Sequence, residues 1–418
     1  MNSRQRVIAA LNHRTPDHIP LDLGASAVTG MHVSSVYLLR QALKLDPPGT
    51  PVKVVEPYQM LGEIAPDLIE TLGVDVLPLA KRETLFGFRN QGWKPWDFNG
   101  TPVLVPEGFN TQPEADGSTF MYPDGDHAAP PSGKMPEDGY YFDTLIRQPP
   151  IDDDHLDPVD NLEEFGPISA DDLAYLAAEA ERLYTTTDKA ILANFGGTAF
   201  GDIALVPAPW LKHPRGIRDV TEWYISTVSR QDYIHEVFER QCAIGLANLE
   251  KIYAVVGDRV CAVFVTGTDF GTQAGPFISP RSYRTLYMPF HKVVNDWIHQ
   301  HTSWMSFIHS CGSVKALIPH FIEAGFDILN PVQTSATGME AGGLKTQFGA
   351  DLAFWGGGVD TQKILPFGTP DQVRADVRER IAIFGEGGGF VFNSIHNIQA
   401  RTPVENLLAL YEAVDRYR

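Results

Sequence analysis

The segment Trp304-Met-Ser-Phe-Ile308, followed at once by His309-Ser-Cys-Gly312, contains the pattern that decides the fold. A short, largely apolar run predicts a buried strand, and the polar residues mark the point where that strand ends. The same pattern occurs on both sides of this segment. Short apolar runs that end in polar or glycine-rich turns lie at residues 190–194, 261–265, 327–330, 352–355 and 389–392.

These six strands, and another at residues 19–23, are separated by segments whose apolar residues recur at helical spacing. Such alternation predicts parallel βα units. A doubly wound sheet usually carries a glycine-rich phosphate loop after its first strand, and Leu21-Asp-Leu-Gly-Ala-Ser26 contains no such loop. We therefore predict an α/β fold, a (β/α)8 TIM-type barrel, in which the chemistry lies on the loops after the strands.

The domain organisation is predicted from a change of composition. Residues 1–418 are interpreted as one barrel domain, with a segment rich in Pro, Gly and aromatic residues inserted at about 84–165. A small separate domain is the alternative for that segment. Its aromatic residues, among them Tyr141, either form a lid over an apolar substrate or pin the insertion to the barrel. Residues 25–80 are expected to be mainly helical.

Composition excludes several classes of function. The chain has 33 basic and 52 acidic residues, a formal net charge of −19, and no basic cluster that would bind nucleic acid. No apolar run is long enough to cross a bilayer, and the apolar stretch at residues 7–11 is too short for a signal peptide. The three cysteines cannot build a disulfide framework. We expect a cytoplasmic globular protein.

A metal site is predicted from His309 and Cys311. Residues i and i+2 of a strand face the same side, so this imidazole and thiolate can converge on one ion. Zinc accepts such mixed nitrogen and sulfur ligands, and a catalytic site needs three of them. His396, which follows the last strand, is the candidate for the third ligand. The alternatives are a buried apolar role for Cys311 and a structural hydrogen bond for His396.

Four further polar residues follow predicted strands. Asp269, between glycines in Thr266-Gly-Thr-Asp-Phe-Gly271, is the candidate catalytic acid or base, with a helix cap or Asx turn as the alternative. Asp360 also follows a predicted strand, and it is either a substrate-binding residue or a cap. Asn330 and Gln333 either bind substrate or close the rim of the barrel. No G-x-S-x-G, H-E-x-x-H or C-x-x-C motif is present, which disfavours hydrolase, zincin and redox functions.

Several motifs together resemble the uroporphyrinogen decarboxylase superfamily. They are Ala10-Leu-Asn-His-Arg-Thr-Pro-Asp-His-Ile-Pro20, Gly271-Thr-Gln-Ala-Gly-Pro-Phe-Ile-Ser-Pro-Arg-Ser-Tyr283, His309-Ser-Cys-Gly312, Gly356-Gly-Gly-Val-Asp-Thr-Gln362 and Thr402-Pro-Val-Glu-Asn406. The resemblance runs from residue 5 to 415, with a gap over the insertion. It implies a TIM-type barrel. True decarboxylases of this family carry an arginine-rich signature near the N-terminus, and Gly24-Ala-Ser-Ala-Val-Thr-Gly30 has no arginine, which argues against porphyrin decarboxylation.

The other branch of the superfamily contains zinc-dependent, corrinoid-linked methyltransferases. His309 and Cys311 match the first two zinc ligands of that branch, and His396 stands where the family has a cysteine. The resemblance implies zinc as a Lewis acid, and a methyl group moving from a small methylated substrate, such as a methoxylated aromatic, to a partner's corrinoid. The expected partners are thus a small-molecule methyl donor and a corrinoid protein, and a homodimer is a possible assembly.

Two other functions compete with methyl transfer. The first is a metal-independent lyase or decarboxylase of a small acid, in which Asp269 carries the chemistry and activity survives chelation. The second is a non-catalytic barrel that delivers a ligand to a partner. Polar residues gathered at strand ends favour an enzyme.

Overall fold

The structure, a computed structural model, describes residues 1–418. Its strands, in chain order, are β1 Val52–Glu56, β2 Leu61–Gly62, β3 Val76–Ala80, β4 Lys94–Phe98, β5 Thr101–Val105, β6 Thr111–Pro113, β7 Thr119–Met121, β8 Gly133–Met135, β9 Asp143–Thr144, β10 Ala190–Asn194, β11 Ala262–Thr266, β12 Met305–His309, β13 Ile328–Asn330, β14 Ala353–Trp355 and β15 Phe390–Val391.

The α-helices lie before, between and after these strands along the chain, and they connect most of the parallel strands. They are α1 Ser3–Leu11, α2 Val33–Ala42, α3 Pro66–Leu72, α4 Ala170–Thr186, α5 Val220–Ser229, α6 Gln231–Val256, α7 Pro280–Ser282, α8 Met288–His301, α9 Ile318–Glu323, α10 Ala341–Phe348, α11 Ile364–Phe367, α12 Pro370–Phe384 and α13 Val404–Tyr417. None of these helices combines the length and the hydropathy that crossing a lipid bilayer requires.

A curled sheet of seven parallel strands forms the centre of the molecule, in the order β15-β14-β13-β12-β11-β10-β3. From β10 to β15, strands that are neighbours in this sheet also follow one another along the chain. Helices lie between them, as expected for repeated βα units. The carboxyl ends of parallel strands lie at one edge, so the polar residues after β11, β12, β13 and β15 meet there.

Residues 20–22 connect the two outer strands of this sheet. Leu21 pairs with Phe392, just after β15, in a parallel bridge. The amide of Phe392 donates to the carbonyl of Pro20 (2.8 Å), and the amide of Asp75, just before β3, donates to the carbonyl of Leu21 (2.8 Å). The strand predicted at residues 19–23 is therefore reduced to a single bridged position.

The interior of the curled sheet is apolar at one end. Side chains of seven strands pack there with Val7 and Leu11 of α1, among them Val76, Leu192, Phe264, Phe307, Ile328, Trp355 and Val391. Helix α1 contacts β3, β10 and β15. Apolar burial thus fills the end near α1 and leaves the carboxyl-terminal end of the strands for polar side chains.

The prediction that residues 25–80 are mainly helical is wrong, because β1, β2 and β3 all lie in this range. In β1, Val52 and Val54 are buried and alternate with partly exposed residues, and β-branched side chains favour strands. The parallel partner of β1 is β5, which is distant in sequence. Local periodicity cannot reveal such a partner.

Two four-stranded sheets, ordered β2-β1-β5-β4 and β6-β7-β8-β9, are built from residues 52–144. Most of these strands are short, with five residues in β5 and three in β7. The first sheet joins β4 and β5 to β1 and β2, which precede residue 84. The inserted segment at 84–165 stays a prediction, and part of it shares a sheet with residues before it.

Candidate active site

His309, the last residue of β12, has its ring orientation set by Asn330, the last residue of β13. The Nδ2 of Asn330 donates to the carbonyl of Trp355 (2.6 Å), so its Oδ1 is the atom that faces His309 and accepts a hydrogen bond from Nδ1. The proton on Nδ1 leaves a lone pair on Nε2. Nε2 lies 3.4 Å from Cys311 Sγ and 3.7 Å from Asp269 Oδ1.

The loop that carries Cys311 is held by side chains of two neighbouring loops. Asp269 Oδ1 accepts a hydrogen bond from the amide of Cys311 (2.6 Å), and Gln333 Oε1 accepts one from the amide of Gly312 (2.7 Å). Gly312 has φ +83°, and a Cβ there would lie 2.4 Å from the backbone of Gly271. Only glycine allows this approach of the two loops.

His396 is placed by a loop that two asparagines attach to the N-terminal segment. Asn393 Nδ2 donates to the carbonyls of Asp22 (3.0 Å) and Thr29 (3.2 Å), and Asn397 Oδ1 accepts from the amide of Gly30 (2.6 Å). His396 itself has φ +65°, a left-handed conformation that is costly for a residue with a Cβ. The surrounding hydrogen bonds hold the backbone in that conformation, and this places the ring.

His309, Cys311 and His396 form the cluster that could hold a metal ion. Their ligand atoms all lie within 4.8 Å of one another. The two imidazole rings meet edge to face, with centroids 5.3 Å apart. The structure therefore brings together the three residues that the sequence singles out as metal ligands, with the Asp269 carboxylate beside them.

Burial determines the ionisation of this cluster. Burial lowers the pKa of both His309 and His396 to about 4, so both rings are neutral at physiological pH. Burial also raises the pKa of the Cys311 thiol and of the Asp269 carboxyl, and Asp269 raises that of Cys311 further. The site thus lacks positive charge, and a bound cation would favour the thiolate and the carboxylate.

The cluster lies on a cavity of about 2080 Å³ that is lined by His309, His396 and Asp269. Two carboxyls that the sequence analysis missed, Glu56 and Asp202, line the same cavity, and burial raises the pKa of each to about 7. Glu56 ends β1, inside the range expected to be helical, and Asp202 lies in the loop after β10. Glu56 was missed because its strand was expected to be helical, and Asp202 because it lies well beyond the end of β10.

Comparison with known proteins identifies the part of the chain that carries this cluster. The sequence model of the uroporphyrinogen decarboxylase (URO-D) family matches residues 215–417, which include Asp269, His309, Cys311 and His396. These residues form a URO-D family domain. For residues 215–417 the predicted superfamily is confirmed.

The uroporphyrinogen decarboxylase of Mannheimia succiniciproducens is 27% identical over 186 residues, which is 40% of this chain and 48% of that protein. That of Nitrosospira multiformis is 48% identical over 48 residues, 12% of this chain and 13% of that protein. The match to these curated relatives thus spans about half of their length or less. A methyltransferase from Methanosarcina mazei has a similar fold, with a TM-score of 0.56 and 15% identity, covering 100% of this chain and 99% of that one.

Within the URO-D domain, three of the predicted substrate-binding residues bond to other parts of the protein. Asn330 lies behind His309, and Gln333 bonds to the backbone beside Cys311. Asp360 Oδ1 accepts from the amides of Gln362 (2.7 Å) and Lys363 (3.1 Å), which is the capping arrangement left open above. Gln333 and Asp360 do not line the cavity, whereas Tyr141, outside the domain, does.

Proposed function

We propose that this chain is a zinc-dependent methyltransferase that moves a methyl group from a small methylated compound to a corrinoid held by a partner protein. The observation that supports this proposal most is the convergence of His309, Cys311 and His396, whose ligand atoms lie within 4.8 Å of one another. The URO-D family match and the fold likeness to a methyltransferase from Methanosarcina mazei agree with it.

The donor set fits zinc. Two neutral imidazoles and one thiolate are ligands that zinc accepts, and three protein ligands leave a position for substrate. Nε2 of His309 has its lone pair free because Nδ1 donates to Asn330. Nδ1 of His396 accepts from the amide of Asn397 (2.7 Å), so coordination through either nitrogen of this neutral ring requires that hydrogen bond to break.

The residues of this chain have separate tasks in the proposed reaction. Zinc, when bound, supplies a Lewis acid that polarises the heteroatom carrying the methyl group. Asp269, whose Oδ1 lies 3.7 Å from His309 Nε2, is the group placed to give a proton to that heteroatom as the bond to the methyl carbon breaks, and desolvation raises the pKa of this carboxyl. A corrinoid held by a partner protein would be the acceptor of the methyl group and would supply the electron pair of the new bond.

Positioning roles follow from the hydrogen bonds. We assign Asn330 to the orientation of His309, Gln333 to the loop of Cys311, and Asp360 to the start of the turn at 361–363. Tyr141 is half exposed on the cavity wall and is the proposed substrate contact from the inserted segment at 84–165. We further infer that residues 20–22 complete a closed eight-stranded barrel in a single domain, since they bond to both outer strands.

A metal-independent lyase or decarboxylase of a small acid is the second candidate. The observation that favours it is the pair of carboxyls, the buried Asp202 and the partly exposed Asp269, that line one cavity with raised pKa values. A protonated carboxyl on a cavity wall can serve as a general acid without a metal. In that case activity would survive removal of metal by a chelator.

Metal content of the purified protein separates the two candidates. We expect about one zinc per chain in the wild type by inductively coupled plasma mass spectrometry, and loss of that zinc in Cys311→Ala and His396→Ala. Cys242→Ala, at a buried cysteine on α6, and His301→Ala, at the end of α8, are the matched controls and should retain zinc. A wild type without stoichiometric metal, prepared without chelators, would contradict the zinc proposal.

A further inference from the structure

Lys81 is a basic side chain on the cavity wall that the proposed reaction does not use. It directly follows β3, so it lies at the same edge of the central sheet as His309 and His396. Its side chain is accessible to solvent, yet the protein around the cavity lowers the pKa of its ammonium group by desolvation. Lys81 is thus an exposed lysine on the cavity wall whose surroundings disfavour its charged form.

Lys81 differs from the other basic residues of the cavity wall because it has no acidic partner. The other five form ion pairs: Arg82 with Asp171 and Asp172, Arg182 with Glu179, Lys189 with Glu70, Lys212 with Asp126, and Arg218 with Glu163 and Glu164. Glu83 and Asp172 are the acidic groups nearest to Lys81, and neither comes within the 4.0 Å of an ion pair. Lys81 also makes no side-chain hydrogen bond.

A glycine loop with free amides lies against this ammonium group. A Cβ at Gly196, where φ is +68°, would lie 2.8 Å from Lys81 Nζ, so the ammonium group lies directly beside this glycine. The amides of Gly197 and Ala199, which also line the cavity, donate to no acceptor in the chain. An ammonium group beside unpaired amides is the chemistry that binds an oxyanion.

We infer that Lys81 binds a carboxylate of the substrate, so that the methyl donor of this enzyme is a small anionic compound. This inference rests on the proposed function. A monoanion suits the cavity better than a phosphate dianion, because Lys81 is a single cation and Glu56 and Asp202, with pKa values of about 7, are partly ionised on the same cavity. Lys81 thereby determines specificity at the end of the substrate remote from the methyl group.

The strand order separates Lys81 from the zinc cluster, so the two can contact opposite ends of one substrate. From β3 to β12 the sheet has three strand spacings, β3-β10-β11-β12, or roughly 14 Å along its curve. The straight line across the cavity is shorter than the curve. A methoxylated aromatic carboxylate, with the methyl group and the carboxylate at opposite ends of a ring, is the kind of substrate that we propose for this arrangement.

Binding of matched anionic and neutral probes tests the inference without any methyl transfer. The probes are 4-methoxybenzoate, 3,4-dimethoxybenzoate and benzoate, each compared with its amide by isothermal titration calorimetry on the full chain. We expect the wild type to bind at least one carboxylate about tenfold more tightly than its amide. Lys81→Met should abolish the preference, Lys81→Arg should retain part of it, and Lys212→Met, at an ion-paired lysine of the same wall, should leave it unchanged.

The inference is overturned if no carboxylate binds the wild type better than its amide, or if Lys81→Met keeps the preference. Zinc content measured on the same samples separates this result from the proposed function. Normal zinc without a carboxylate preference refutes only the role of Lys81. A preference that depends on Lys81 in a protein without zinc refutes only the zinc methyltransferase.

Discussion

Replacement of Asn330 by leucine removes the group that orients His309 while leaving all three proposed zinc ligands in place. Asn330 is fully buried and makes two side-chain hydrogen bonds, one from His309 Nδ1 and one to the carbonyl of Trp355 (2.6 Å). A buried polar group that loses its partner costs about 1 to 3 kcal/mol, so two such groups cost about 2 to 6 kcal/mol of unfolding free energy. The imidazole also loses its fixed tautomer.

The measurable consequence is a weaker metal site. We expect Asn330→Leu to lower zinc affinity about 10- to 100-fold, the usual effect of removing a partner of a metal-bound histidine. Zinc affinity is measured by competition with a chromogenic chelator, and unfolding free energy by urea titration of the metal-free protein. Both measurements are made on the same preparation, so that lost stability and lost affinity are compared directly.

Asn295→Leu is the matched control. Asn295 is equally buried, on α8, and its Nδ2 donates to the carbonyl of Ala324 (2.8 Å), away from the zinc cluster. It should lose stability and keep zinc affinity. If Asn330→Leu binds zinc within about twofold of the wild type, Asn330 does not determine the orientation of His309 as a ligand, and the reasoning is refuted.

Three further substitutions test other parts of the structure. Burial raises the pKa of Asp22 to about 7, so stability should fall as the pH rises from about 4, the value of an unfolded aspartate, to about 7, and Asp22→Asn should flatten this dependence of Tm. Gly312→Ala should cost about 2 kcal/mol or more in urea unfolding, because of its φ of +83° and the overlap with Gly271; unchanged stability would show that the loops can separate without cost. Asp269→Asn keeps an acceptor for the amide of Cys311 but removes a charge near the cluster, so zinc should bind about tenfold more weakly with normal Tm; equal affinity would count against a cation at this position.

Much of the candidate site could be predicted because its residues follow strands. His309 and Cys311 are two residues apart at the end of β12, and strand geometry places such residues on one side. His396 was predicted from its position after the last strand, and the structure brings it to the other two. Asp360 had two interpretations that local sequence could not separate, and its hydrogen bonds are those of a cap.

Other site residues could not be predicted, because their roles depend on neighbours that are distant in sequence. Glu56 ends β1, whose pairing with β5 decides that the segment is a strand. Asp202 gains its raised pKa from burial by the surrounding chain, with Asp269 as a further cause. Neither effect leaves a signal in the local order of residues.

The βα alternation of residues 190–397, the polar residues at the strand ends and the family resemblance of residues 215–417 could be predicted from the amino-acid order, because side-chain periodicity and short motifs are local properties. Which polar groups turn towards the cavity, and which satisfy the backbone, depends on the folded chain. Gln333 accepts a hydrogen bond from the amide of Gly312, whereas Lys81 has no acidic partner. The physical reason is that buried donors and acceptors pair with whatever the folded chain brings within hydrogen-bond distance, and that distance is set by residues far away in sequence.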